Sequence, residues 1–126
     1  FHALMIAKKS IVEKPFGWGL NRYDIAFEYF TKKSPSKIQK VNFLNSKDGA
    51  NNFIKLIVEL GVFALLIYLF FFLFFINKNI PLEYKFFYLP FVITQSLRGA
   101  GYFNGGFSLI VFFMLLTYLK LNKKKL

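Results

Sequence analysis

Apolar and polar positions divide this chain unevenly. Every position from 62 to 76 is apolar or aromatic, and extending back to residue 57 gives twenty residues with one charge, Glu59. Twenty helical residues rise about 30 Å, the thickness of a bilayer's hydrocarbon core, so the pattern predicts a membrane-crossing helix over 57–76. The approach to it is polar. Asp48, Asn52, Lys55 and Glu59 recur at i, i+4, i+7 and i+11, which sets them on one helical face that lipid would not suit.

Two further apolar blocks follow. Residues 82–98 and 103–119 predict two more spans, separated by the Gly-rich loop Arg98-Gly-Ala-Gly-Tyr-Phe-Asn-Gly-Gly106. Upstream, residues 1–14 suit a short helix whose apolar stripe is Ala3, Leu4, Ala7, Ile11 and Val12, with Lys8, Lys9 and Glu13 off it. Pro15 ends it, and Gly17 and Gly19 bracket Trp18 in a turn. Residues 24–33 suit a second short helix, with Asp24 as its cap and Ile25, Phe27 and Phe30 as anchors. Residues 32–47 form a basic loop with five lysines and no acid. The chain therefore divides into a segment with short helices, 1–55, and a C-terminal set of transmembrane helices, 56–126.

Composition supports a membrane class. The chain is 56% hydrophobic with 19 Phe. It has no Cys, so there is no disulfide framework or thiolate metal site, and a single His without clustered acids predicts no metal and no cofactor. The net charge of +11 splits into +6 over residues 1–55 and +5 over residues 56–126. The four lysines after residue 119 flank the last apolar block, which places the tail on the cytoplasmic side and residues 1–55 on the outer side. The basic residues do not interleave with stacking aromatics on a recognisable module, so nucleic acid is not an expected partner, whereas membrane lipid is.

In that topology Arg22, Asp48, Asn51, Asn52, Lys55, Glu59 and Arg98 converge on the outer side. Two arginines, a lysine and a helix N-terminus suit a pyrophosphate, and a carboxylate beside them can take a proton from an attacking hydroxyl. Asp48 and Glu59 are the candidate catalytic groups. They lie about 16 Å apart along one helix, so at most one is the base. If Asp48 or Asn51 caps the helix, its side chain is occupied by backbone amides, and a Lys55–Glu59 pair can simply anchor it. Trp18 is either an interfacial plug or part of a backbone approach to sugar or phosphate.

Lys14-Pro-Phe-Gly-Trp-Gly-Leu20 resembles the "hPlfGvGlg" signature of the O-antigen polymerase and ligase superfamily, and residues 48–61, Asp-Gly-Ala-Asn-Asn-Phe-Ile-Lys-Leu-Ile-Val-Glu-Leu-Gly, resemble the segment that reads roughly "HN-x-(y/f)-L-x-x-L-x-E-x-G" before a span. The resemblance covers nearly the whole chain. It implies an all-α integral membrane protein: about three transmembrane helices preceded by a helical periplasmic loop segment, multi-pass in the bacterial inner membrane, as the C-terminal part of a longer protein. It implies an enzyme of glycosyltransferase type that joins oligosaccharide repeat units of O-antigen or capsule carried on undecaprenyl pyrophosphate, with a chain-length regulator protein as a further partner. Where ligases of this family carry a His before the Asn, this chain has Asn51, which cannot serve as a general base. That favours a Wzy-type polymerase over the alternative, a ligase transferring glycan to lipid A core or protein. A non-catalytic transporter or scaffold fragment is the third reading.

Overall fold

The computed structural model describes residues 2–33, 46, 47, 49, 51–97 and 106–123. Among these the regular structure is helical, in the order α1 (His2–Glu13), α2 (Tyr23–Lys33), α3 (Asn52–Leu60), α4 (Val62–Ile76), α5 (Leu82–Leu97) and α6 (Gly106–Lys123).

The short helix α3 is the hub. Ile54, Leu56, Ile57 and Val58 are buried, and so are the polar Asn52 and Glu59. A helix buried on nearly all sides must be surrounded, and α3 packs against α1, α2, α4 and α5. Asn51 starts it, with extended backbone and a side-chain oxygen that accepts the Ile54 amide at 2.8 Å. The buried stripe of α1 is Ile6, Ala7 and Ser10, while Leu4 and Val12 are exposed. The expected stripe is thus rotated, because a surface built for close approach to α3 favours the small Ala7 and Ser10 over the bulkier Leu4 and Val12. On α2, Tyr23, Ala26, Phe27 and Phe30 face inward, and Ile25 faces out.

The predicted 57–76 span is broken at Gly61, where φ is +57° and ψ is −127°. The cause lies about forty residues upstream. A helix end leaves its last carbonyls without intrahelical partners. Here the loop after α1 supplies them: the Trp18 amide donates to the Val58 carbonyl (3.0 Å) and the Gly19 amide to the Glu59 carbonyl (3.0 Å). In return the Val62 amide donates to the Pro15 carbonyl at 2.8 Å instead of continuing the helix. The approach is so close that a Cβ on Gly17 would collide with the Glu59 carbonyl, and one on Gly61 with the Pro15 carbonyl. Both glycines also have positive φ, a conformation side chains disfavour.

This break corrects the transmembrane expectation. With 15, 16 and 18 residues, α4, α5 and α6 rise roughly 22, 24 and 27 Å. Pro90 lies inside α5, where the ring removes one backbone donor, and α6 ends in lysines. Among the described residues no helix is long and apolar enough to cross a membrane. The expected fold of three transmembrane helices, and the multi-pass inner-membrane location that rested on it, are therefore overturned; the all-α character of the described residues stands.

Helices α4, α5 and α6 pack largely through aromatic rings. Phe74 meets Tyr88 edge-on at 5.7 Å, Phe71 meets Phe107 at 6.0 Å and Phe70 meets Tyr118 at 6.1 Å. The Tyr88 and Thr117 hydroxyls, 3.0 Å apart, tie α5 to α6. The outer faces of these helices present many large apolar side chains, including Phe72, Phe86 and Phe112.

Candidate functional site

The site is assembled where the Gly-Trp-Gly loop, the start of α2 and the end of α3 meet. Glu59 is its centre. The residue is 1% exposed and its carboxylate reaches out of α3 to the start of α2. Oε2 accepts the Asn21 amide at 2.8 Å and Oε1 accepts the Tyr23 amide at 3.1 Å. Tyr23 opens α2, so its amide is one of the helix's donors without an intrahelical acceptor. A carboxylate at that end also complements the helix dipole. Glu59, rather than the expected Asp24, thus caps α2; the Asp24 carboxylate accepts the neighbouring Ile25 amide at 2.8 Å. Lys55, one turn before Glu59 on α3, approaches it at 4.0 Å and is largely buried.

Asn21, Tyr23, Asp24, Lys47, Lys55 and Glu59 line a mainly polar cavity of about 350 Å³, a size at the lower end of small-molecule pockets. Asn21 holds φ of +57°, a left-handed conformation that Asn tolerates better than most residues, and this turns the chain into α2. Tyr23 is 1% exposed, and its buried hydroxyl has no hydrogen-bond partner among the described residues. Burial pushes its phenol up to about 12.

The sequence-predicted residues separate in this geometry. Lys55 and Glu59 come together in the polar cavity. Asn51 is engaged as the cap of α3. Asn52, fully buried, turns to α5, where its Nδ2 donates to the Gln95 carbonyl at 2.8 Å. Arg22 is exposed and does not line the cavity; its side chain runs close beside Gly19. Trp18 packs on Tyr29 (5.1 Å) and Phe30 (5.7 Å), with the Lys14 ammonium over its ring at 3.9 Å, so it joins the loop to α2 and does not line the cavity either. Asp48 and Arg98 lie outside the described residues. Asn21, Tyr23, Asp24 and Lys47 enter the site without having been singled out as site residues. The usable signal was the Asn that follows Gly-Trp-Gly-Leu, a residue type suited to the left-handed turn that swings Tyr23 inward.

Among the described residues no group of three His, Cys, Asp or Glu is placed to hold a metal ion. No protein-family model, curated protein or solved structure matches the chain.

Proposed function

We propose that this chain forms part of the substrate-handling site of a polymerase that joins oligosaccharide repeat units carried on undecaprenyl pyrophosphate. The supporting observation is that the two stretches bearing the resemblance, 14–20 and the part of 48–61 described, are bonded backbone to backbone around Gly17 and Gly61 and together position a polar cavity. Gly17 and Gly61 permit this close approach, since a Cβ on either would strike a carbonyl of the opposite stretch.

In this reading the acceptor hydroxyl attacks the anomeric carbon of the donor sugar. A glycosidic C–O bond forms, the C–O bond to pyrophosphate breaks, the hydroxyl proton passes to a carboxylate and the pyrophosphate leaves with the electron pair. Asp48 is the proton acceptor. Glu59 is a positioning residue, because both its oxygens already accept amide hydrogens from Asn21 and Tyr23. Arg22, Arg98 and Lys55 supply positive charge to the leaving group. Asn51, occupied by its cap, does no proton chemistry. That favours polymerisation over the ligase alternative, whose family pattern has a His there.

The test is the polysaccharide ladder of cells in which the chain, at normal protein level, carries Arg98→Ala or Lys55→Ala. Collapse of the ladder to single repeat units is the expected result. Polymer that accumulates unattached on its lipid carrier would indicate a ligase. An unchanged ladder in both variants would overturn the enzymatic reading and favour a non-catalytic role.

A further inference from the structure

We propose that α4 is the interface of a homodimer, its outer face packing antiparallel on the same face of a second copy of the chain. The inference goes beyond the polymerase reading and stands without it.

Helix α4 is apolar all round, yet only one side of it is covered. Ala64, Phe71 and Phe74 point into the fold. The opposite side carries Val62, Leu69 and Ile76 at intervals of seven residues, flanked by the pairs Leu65–Leu66 and Phe72–Leu73. These seven residues are between 40% and 61% exposed. A helix with no polar face is ordinarily surrounded by other groups, so this side calls for a partner. The outer sides of α5 and α6 differ. Exposed Glu83 and Thr94 interrupt the first, and exposed Ser108 and Lys120 the second.

Three observations point to a second copy as that partner. The stripe repeats every seven residues, the period that keeps one seam of a helix turned toward a neighbouring helix. It is also symmetric about Leu69. Counting three, four and seven residues in either direction reaches Leu66 and Phe72, Leu65 and Leu73, and Val62 and Ile76. A two-fold axis through Leu69 therefore sets every member of the stripe against an apolar side chain of the other copy, as an isologous interface demands. Finally, the area suffices. The seven side chains expose roughly 650 Å² per copy, close to the roughly 800 Å² per partner of a standard interface. The Phe16 and Phe63 rings, packed together beside Val62 and both exposed, add to it. Lipid imposes no such register or symmetry, and α4, at about 22 Å, is shorter than the hydrocarbon core of about 30 Å.

Charge sets the direction. Exposed Lys78 stands two residues beyond Ile76. Parallel copies would bring the two Lys78 side chains together. Antiparallel copies hold them about 22 Å apart, well beyond the Debye length of about 8 Å at physiological salt.

The experiment is sedimentation equilibrium of the full chain, which should report twice the 14.8 kDa of one copy. Leu69→Glu places a carboxylate on the axis from both copies and should raise the dissociation constant at least about a hundredfold. Phe86→Glu, at an exposed residue of α5, should leave the dimer intact. Circular dichroism checks that both variants keep their helices. Because the chain has no Cys, single cysteines report the orientation. A mixture of Val62→Cys and Ile76→Cys copies should form the mixed disulfide, while neither variant should cross-link alone. A monomeric parent would overturn the proposal, and so would a dimer that survives Leu69→Glu. Cross-linking of Val62→Cys with itself would overturn the antiparallel arrangement. A monomer that floats with phosphatidylglycerol vesicles, and loses that binding in Leu69→Glu, would assign the stripe to lipid and overturn the dimer.

Discussion

Replacing Glu59 with Gln should destabilise the chain by about 2–4 kcal/mol, a large share of a typical domain's stability. The side chain is fully buried and its two oxygens accept the Asn21 and Tyr23 amides at 2.8 and 3.1 Å. Gln keeps one acceptor and turns an NH2 toward the other amide. One hydrogen bond to a charged acceptor, roughly 1.5–3 kcal/mol, is lost, and the donor left behind costs about 1–3 kcal/mol if it stays buried. Loss of the negative charge at the start of α2 adds about 0.3–1 kcal/mol. These contributions overlap, which keeps the total below their sum. Lys55→Met should cost less, about 1 kcal/mol, since the ammonium stands 4.0 Å from the carboxylate and the two amide bonds survive its removal. Denaturant unfolding followed by far-ultraviolet circular dichroism measures both. A Glu59→Gln variant within about 0.5 kcal/mol of the parent, the range of an ordinary surface change, would refute the capping role. So would a Lys55→Met loss larger than that of Glu59→Gln, because the pair would then matter more than the cap.

Three further perturbations have definite outcomes. Gly61→Ala places a Cβ against the Pro15 carbonyl at φ of +57°, so it should cost at least about 2 kcal/mol and shift the Trp18 fluorescence as the loop is pushed away from α3. Asn51→Ala removes the side-chain acceptor of the Ile54 amide and should cost about 1 kcal/mol in the same unfolding measurement, with Asn51→Ser recovering most of it. Tyr23→Phe removes a buried hydroxyl that has no partner among the described residues and should leave the chain as stable or up to about 1 kcal/mol more stable near neutral pH. Its effect with pH has a definite sign. The folded-state value is raised from 10.0 to about 12, so the stability that Tyr23 contributes is fully present below pH 10 and is lost as pH rises to about 12. The loss is at most about 2.7 kcal/mol, and the Phe variant should lack it.

The local elements were legible in the chain. The Pro15 stop, the paired glycines around Trp18, the short helix ending at Lys33 and the start of helical structure near Asn51 all follow from turn and capping chemistry within a few residues. The break at Gly61 was not legible. Within residues 57–76 a lone glycine reads as a tolerated interruption, since its partners, Pro15 and Gly17, are distant in sequence. The same distance hid the role of Glu59. An acid inside an apolar run reads as a candidate base on a polar face or as an anchor paired with Lys55, whereas its acceptors are engaged by amides 36 and 38 residues away. Trp18 beside two glycines suggested a ligand approach, but its ring packs on Tyr29 and Phe30. Tyr23 carried no signal, because a tyrosine at a helix start reads as an ordinary apolar anchor, and the burial of its hydroxyl is visible only once the fold surrounds it.

The docking of the Gly-Trp-Gly loop onto the end of α3 underlies the broken helix, the cap on α2 and the cavity alike. Amide NMR of Trp18, Gly19 and Val62 reads it directly. Slow hydrogen exchange at all three amides, with nuclear Overhauser contacts from the Val62 amide to Pro15, is the predicted result. A Val62 amide bonded instead to the Val58 carbonyl, in one uninterrupted helix from residue 52 to residue 76, with the Trp18 and Gly19 amides exchanging freely, would contradict it.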